Sequence, residues 1–258
     1  MTHTADDQST PPSSDLWTAE DAATYDTDEA ARFSPEAVDP VVDRLEELAD
    51  GGPVLELAIG TGRIGLPLAR RGVEVAGIEL SEPMAAVLAA KPGGNHVPVA
   101  IGDMAAATAA GGEGHYAVVY LVFNTLSNLR TQAEQVACFT NAARHLRPGG
   151  RFVLELEVPR LRHMTTDSDL VPGTQTPEHL VVDRYDLVTQ ALTSRHYHHE
   201  PDGSVRYGEG HFRYVWPSES DLMAQLAGME LEHRWSGWRG EQFTATSATQ
   251  VAVWRKVS

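Results

Sequence analysis

Four groups of residues in this 258-residue chain have types and spacings suited to chemistry. The first is a glycine loop, Val54-Leu55-Glu56-Leu57-Ala58-Ile59-Gly60-Thr61-Gly62-Arg63-Ile64-Gly65. Glycines at a strand-to-helix turn let backbone approach a ligand closely, and the helix that follows offers unpaired amides to an anion. The second is Glu79, which ends the next strand 19 residues beyond Gly60; a carboxylate there can accept hydrogen bonds from a ribose diol. The third is Glu155 with Glu157, on one face of a strand at period two. A carboxylate buried at a strand end is costly unless used or paired, so Glu155 reads as a base, a hydrogen-bond acceptor, or a partner for Arg160 or Arg184. The fourth is a downstream set, Tyr185, Tyr197, His198, His211, Arg213 and Tyr214, which can line an acceptor pocket or simply pack on a sheet.

The elements that position these residues alternate. Short apolar strands are predicted at Val54–Ala58, Val73–Glu79, Val97–Ile101, Ala117–Phe123 and Arg151–Glu157. Helices are predicted at Ala19–Tyr25, Pro35–Ala49, Gly62–Arg71, Pro83–Ala90 and Thr131–Leu146. Such alternation builds a parallel sheet covered on both faces, with right-handed crossovers. Ligands then bind past the carboxyl ends of the strands, where Phe123-Asn124-Thr125-Leu126-Ser127-Asn128 and Glu155 fall. After Pro159 the texture changes. Leu161–Thr176 reads as irregular. Leu180–Val188, Leu192–His199 and Val205–Val215 read as an inserted antiparallel sheet, the last two joined by the turn signal Pro201-Asp202-Gly203. A helix at Glu219–Leu226 and strands at Glu230–Trp238 and Thr249–Arg255 close the chain.

The formal net charge is −16, which argues against a nucleic-acid footprint and against docking on an anionic membrane. Eight acids and no Lys or Arg fall between Met1 and Ala31. Residues 1–15 read as a disordered acidic tail, 16–50 as a helical lid, 51–160 with 217–258 as the main domain, and 161–216 as the capping insert. The single cysteine, Cys138, excludes an intrachain disulfide and suits a reducing, cytoplasmic compartment. No secretory signal or spanning segment is visible. His196 and His198 share a strand face, but no third and fourth ligands are evident for zinc, so no metal is expected.

Gly60, Gly62 and Gly65 match the dinucleotide fingerprint G-x-G-x-x-G, which keeps an NAD-dependent oxidoreductase open. Glu56 pulls elsewhere, because a pyrophosphate loop is better served by an apolar residue at that position. Over roughly residues 21–256 the chain resembles the class I S-adenosylmethionine-dependent methyltransferases. Four ordered elements carry the resemblance: VLELAIGTGR, the acid of GIELS (Glu79), Gly102-Asp103-Met104, and LRPGGRFVLE at 146–155. Ala58 departs from the pattern, where the family usually has glycine.

The resemblance implies a doubly wound, Rossmann-like α/β fold. Its seven-stranded sheet would have the last strand antiparallel, with the inserted antiparallel β cap over the site. It implies S-adenosylmethionine as cofactor and S-adenosylhomocysteine as product. Glu56, Ala58, Gly60, Thr61 and Gly62 would flank the methionine part. Glu79 would hold the ribose, Asp103 would accept from the adenine amine, and Leu80 and Met104 would lie against the ring. Tyr25-Asp26 resembles a lid segment of small-molecule methyltransferases, and Phe123 joins Tyr25 in the cofactor set. Glu155, Asn124 and Tyr185 are the catalytic candidates; Asn128, Tyr197, His211, Arg213 and Trp238 are the substrate candidates. The insert is similar to that of aminosugar N-methyltransferases, although these carry a histidine near Asn128. Gly240-Glu241-Gln242-Phe243-Thr244 is similar to a segment of peptide N-terminal methyltransferases. The expected activity is methyl transfer to a small secondary-metabolite nitrogen, oxygen or activated ring carbon, by a monomer or homodimer. A peptide N-methyltransferase and a non-catalytic module that binds the cofactor stay open.

Overall fold

The computed structural model describes residues 18–165 and 167–257; the acidic segment 1–15 lies outside the described residues. Seven strands form the main sheet: β1 (Val54–Leu57), β2 (Val75–Glu79), β3 (Val99–Ile101), β4 (Tyr116–Leu121), β5 (Leu146–Glu157), and the late strands β10 (Met229–Trp235) and β11 (Thr249–Lys256). Their order is β10-β11-β5-β4-β1-β2-β3. β1 to β5 are parallel, and the chain's last strand, β11, runs antiparallel between β5 and β10. The expected mixed seven-stranded sheet is the observed one. Helices α1 (Ala19–Asp28), α2 (Pro35–Ala49), α3 (Gly65–Arg70), α4 (Glu82–Ala90), α5 (Gln132–His145) and α6 (Pro217–Leu226) complete the described α-helices.

Period-two alternation divides the core. Val54 of β1, Tyr120 of β4 and Val153 of β5 face one side with Val41 and Leu45 of α2. Leu55, Val119 and Phe152 face the other with Phe139 of α5 and Trp254 of β11. There the Phe139 ring meets Phe152 and Trp254 edge-on, with centroids 5.1 and 5.4 Å apart, an arrangement favoured by ring quadrupoles. β4 is buried at every position, as a strand covered on both faces requires. Capping boxes at Thr18–Asp21 and Thr131–Glu134 start α1 and α5, each satisfying orphan amides at the helix start.

A second, antiparallel sheet has four strands in the order β6 (Leu170–Gln175), β7 (His179–Tyr185), β8 (Ala191–His199) and β9 (Val205–Arg213). Three were expected; the stretch read as irregular contains β6. Its Pro172-Gly173 pair hides the alternation, and its register shifts between Pro172 and Gln175. Proline is tolerated there because β6 is an edge strand. The Pro201-Asp202-Gly203 turn forms as expected, with Gly203 at φ +85°. One face of this sheet is buried (Val181, Asp183, Tyr185 and Ser194), and the other looks to solvent.

Candidate active site

The glycine loop leaves β1 with Ala58, Gly60 and Gly62 all at positive φ (52°, 56° and 83°). Ala58 therefore adopts the left-handed turn that glycine ordinarily supplies, at some strain. A Cβ on Gly60 would meet open space, whereas one on Gly62 would lie 2.9 Å from Leu66 Cγ. The loop is thus an open cradle above and tightly packed below. Glu79 faces it at 6% exposure. Gly60 N donates to Glu79 Oε2 at 2.7 Å, and Ser81 N donates to Oε1 at 2.9 Å. Burial pushes this carboxyl above its usual range, while the amides of Ser81, Gly60 and Leu80 work against that. A carboxylate offers about four acceptor positions, so with three amides bound about one remains for a ribose hydroxyl.

Glu56 lies directly beside Tyr120 in the β1/β4 register. It sits beneath the loop in the core, accepting from Tyr120 Oη at 2.9 Å. Burial pushes its carboxyl up to about 8, against the Tyr120 hydrogen bond, the Arg63 charge and the Gly65 amide. It was expected beside a ligand; its place is under the α3 N-terminus, supporting the loop from within. Met104 likewise packs into the core at 8% exposure, with Asn141 bonded to its carbonyl. Asp103 is exposed and bonds the Ala105 amide at 2.8 Å, and Leu80 is half-buried beside Glu79.

α1 is tied onto the loop. Thr61 Oγ1 donates to Asp26 Oδ1 at 2.6 Å. Lys91 forms an ion pair with Asp26 and donates to the Thr61 carbonyl at 2.7 Å. Tyr25 meets Phe33 edge-on. Phe123, 37% exposed, lies under the guanidinium of Arg32, 3.9 Å from the ring centroid, with Arg63 at 5.2 Å, a favourable cation–π geometry. Nothing in the sequence foretold the roles of Lys91, Arg32 and Arg63, because these contacts join residues 30 to 91 positions apart.

Beyond β4, Phe123 and Asn124 are both left-handed (φ 64° and 56°). Two consecutive non-glycine residues in this region are uncommon and mark constrained, functional turns. Glu155 holds the turn: its Oε2 accepts from Phe123 N at 2.8 Å, and its Oε1 from Trp238 Nε1 at 2.9 Å. Asn124 Oδ1 accepts from Glu157 N at 3.1 Å. Neither arginine considered for Glu155 pairs with it. Arg160 pairs with Asp183, and Arg184 with Asp169. Asn128 ends a single helical turn, Thr125–Asn128, beside β9.

The second sheet corrects three substrate candidates. Tyr197 and His211 project from its outer face; Tyr197 packs against Tyr207, and His211 lies 3.4 Å from Glu209. Strand parity separates them from buried Tyr185, whose neighbour across β8 is Leu192. Arg213 is 4% exposed, its terminal nitrogens bound by Gln135, Gln190 and Glu219. It ties the second sheet to α5 and α6. Tyr185 is held by Arg160, and burial raises its phenol. A cleft of about 690 Å³ opens beside it, bounded by Leu161, Met164 and Asp169, away from the glycine loop. His179 stands across the strand pair from His198 and brings a third imidazole beside those of His196 and His198.

Residues 54–150 match a family model described as a methyltransferase domain. The chain is 36% identical to the CcbJ methyltransferase of Streptomyces caelestis, with a TM-score of 0.74, covering 85% of this chain and 89% of that one. The chain belongs to the class I S-adenosylmethionine-dependent methyltransferases. It is 28% identical over 209 residues to the cypemycin N-terminal methyltransferase of a Streptomyces species, covering 79% of this chain and 83% of that protein. Its fold is also that of the S-adenosylmethionine-bound amino pentose methyltransferase CalS10 of Micromonospora echinaspora (TM-score 0.62, 23% identity, 93% of this chain and 97% of that one). For this methyltransferase, membership decides between the two readings of the glycine loop. The donor is S-adenosylmethionine and the spent cofactor S-adenosylhomocysteine. The open cradle at Gly60 and the unspent acceptor capacity of Glu79 fit that group. No described helix is long and apolar enough to cross a membrane.

Proposed function

We propose that this enzyme methylates a small natural-product acceptor, held past the carboxyl ends of β4 and β5 beneath the second sheet. The observation that carries the reading is the Glu155 carboxylate, fixed from two sides by Phe123 N–H and the Trp238 indole. A carboxylate so oriented is a ready acceptor for the N–H or O–H of an incoming nucleophile. It needs no rearrangement to take the proton that methylation releases. The similarity to the cypemycin enzyme supports a natural-product acceptor.

The bound cofactor supplies an electrophilic sulfonium methyl. Glu79 would hold its ribose hydroxyls, Gly60 and Gly62 its methionine end, and Asp103 its adenine amine. Tyr25 and Phe123, with the arginines above Phe123, would exclude water from the loop. Positioning of this kind supplies about 7–11 kcal/mol of a transfer barrier, and a general base adds about 10²–10⁴-fold. A peptide N-terminus is the second reading, favoured by the 79% coverage of this chain in the alignment with the cypemycin enzyme.

Parallel calorimetric titration with S-adenosylhomocysteine and with NAD tests the cofactor. Incubation with S-adenosylmethionine and a panel of small amines, phenols, indoles and short peptides, read by mass spectrometry, tests the acceptor. Single methylation of a small acceptor, lost in Glu155→Ala while the homocysteine product still binds, is the expected result. Methylation confined to peptide N-termini replaces it with the second reading.

A further inference from the structure

We propose that His179, His196 and His198 form a binding site for one divalent transition-metal ion of the zinc class on the inner face of the second sheet. The proposal is independent of which acceptor the enzyme methylates. His196 and His198 stand at i and i+2 on β8, and His179 lies opposite His198 on β7. The amide of His199 bonds the carbonyl of Glu178, which makes the adjoining 179/198 pair a non-hydrogen-bonded one. Side chains approach most closely at such pairs. One ligand nitrogen from each ring lies within 4.8 Å of the other two.

The local chemistry suits a cation of this type. His179 Nε2 and His196 Nδ1 are 3.0 Å apart, so one proton must lie between two lone pairs. A tetrahedral ion with bonds of about 2.0–2.1 Å sets its ligand nitrogens about 3.3 Å apart, so it fits where that proton stands. Since no two of these nitrogens are more than 4.8 Å apart, closing the widest pair takes a shift of at most about 1.5 Å, within reach of the broad χ2 torsion of histidine. His198 now stacks on His179 with centroids 4.0 Å apart and would turn about that torsion. Ser194 Oγ lies 3.1 Å from His196 Nε2. Accepting from that nitrogen, it fixes the tautomer that leaves Nδ1 for the ion, the usual support of a ligating histidine.

The surrounding charges are accounted for. Arg206, across from His198 on β9, pairs with Glu200, and Asp183 is committed to Arg160. Three imidazoles leave a fourth coordination position for water or a donor atom of a small ligand. Space for it exists, since Gly208 lies opposite His196 and a Cβ there would meet nothing within 4 Å. The ion would clip β7 to β8 in a sheet whose small apolar cluster is built on Val171, Tyr185 and Tyr214.

The test uses the whole chain without an affinity histidine tag, stripped with chelator. It is titrated with zinc chloride by calorimetry and with cobalt chloride by visible absorption. One equivalent is expected to bind, with a tetrahedral cobalt spectrum and a rise in melting temperature on adding zinc. His179→Gln, His196→Gln and His198→Gln are each expected to weaken binding by more than the about 10–100-fold that loss of a supporting group costs, and to abolish the melting shift. His199→Gln, one residue along but on the outer face, is expected to leave affinity unchanged. The proposal is overturned if the wild-type chain binds no zinc, if any of the three variants binds as well as wild type, or if His199→Gln weakens binding as much as they do.

Discussion

Trp238 donates its indole N–H to Glu155 at 2.9 Å across 83 residues of sequence. The loop between β10 and β11 is thereby fixed to the end of β5, beside the strained turn at Phe123–Asn124. The carboxylate is held by an indole and a backbone amide, so its orientation and its chemistry can be separated by mutation. Glu155→Ala is expected to lower the methyl-transfer rate by about 10²–10⁴-fold if the carboxylate takes the proton. Trp238→Phe keeps the carboxylate and removes one donor, so a loss of about 10-fold or less is expected. Steady-state kinetics on an acceptor from the panel decides. Equal rates in wild type and Glu155→Ala would remove Glu155 from the reaction.

Glu79→Ala is expected to weaken S-adenosylhomocysteine binding by about 10–100-fold, since a hydrogen bond to a charged group contributes about 1.5–3 kcal/mol. Calorimetry measures this directly. Because Glu79 also fastens the Gly60 and Ser81 amides, Glu79→Gln is the companion variant. It keeps an acceptor for one amide and is expected to bind more tightly than the alanine. Unchanged affinity in both would place the ribose elsewhere.

The parts of this molecule legible in the sequence are those set by local pattern. The α2 bounds, the β1 loop and the ordered strands follow from periodicity and from glycine and proline punctuation. Parity and register were not legible. Tyr197 and His211 resemble Tyr185 in ring type and in nearness along the chain, but a one-residue difference in phase sends them to the solvent face. His179 was invisible as a partner of His196 and His198 because only the β7/β8 register places it there. Glu56 looked like a ligand contact because its neighbour Tyr120, 64 residues away, cannot be known before strand order is. Arg213 looked available because Gln135, Gln190 and Glu219 come from three other segments.

Glu56 makes stability depend on pH. Its carboxyl is raised from 4.5 to about 8 in the fold, so the folded state binds the extra proton between those values. Stability from this group is full below about pH 4.5 and falls as pH rises toward 8. Glu79 is shifted in the same direction and adds to the slope. Removing the titration, on the order of a few kcal/mol at about 1.36 per unit, is expected in Glu56→Gln, which keeps an acceptor for Tyr120. Its melting temperature should exceed that of wild type at pH 8.5 and converge with it near pH 5. Parallel melting curves across that range would mean that Glu56 does not titrate there.

Asp26 joins α1 to the glycine loop through Thr61 and Lys91, and loosening this joint is expected to open the cradle. Asp26→Ala removes both contacts without touching Gly60 or Glu79. The segment is partly exposed, so about 1–2 kcal/mol is the expected loss, less in high salt. Amides of 19–28 should then exchange with deuterium faster than in wild type, while those of β1 and β4 should not change. Dissociation of S-adenosylhomocysteine should quicken by about 5–30-fold, the same energy read as a rate. Lys91→Met is expected to reproduce part of the effect, since it keeps the Thr61 hydrogen bond to Asp26. Faster exchange without faster dissociation would separate α1 from the cofactor and leave Asp26 as a tether of the helix alone.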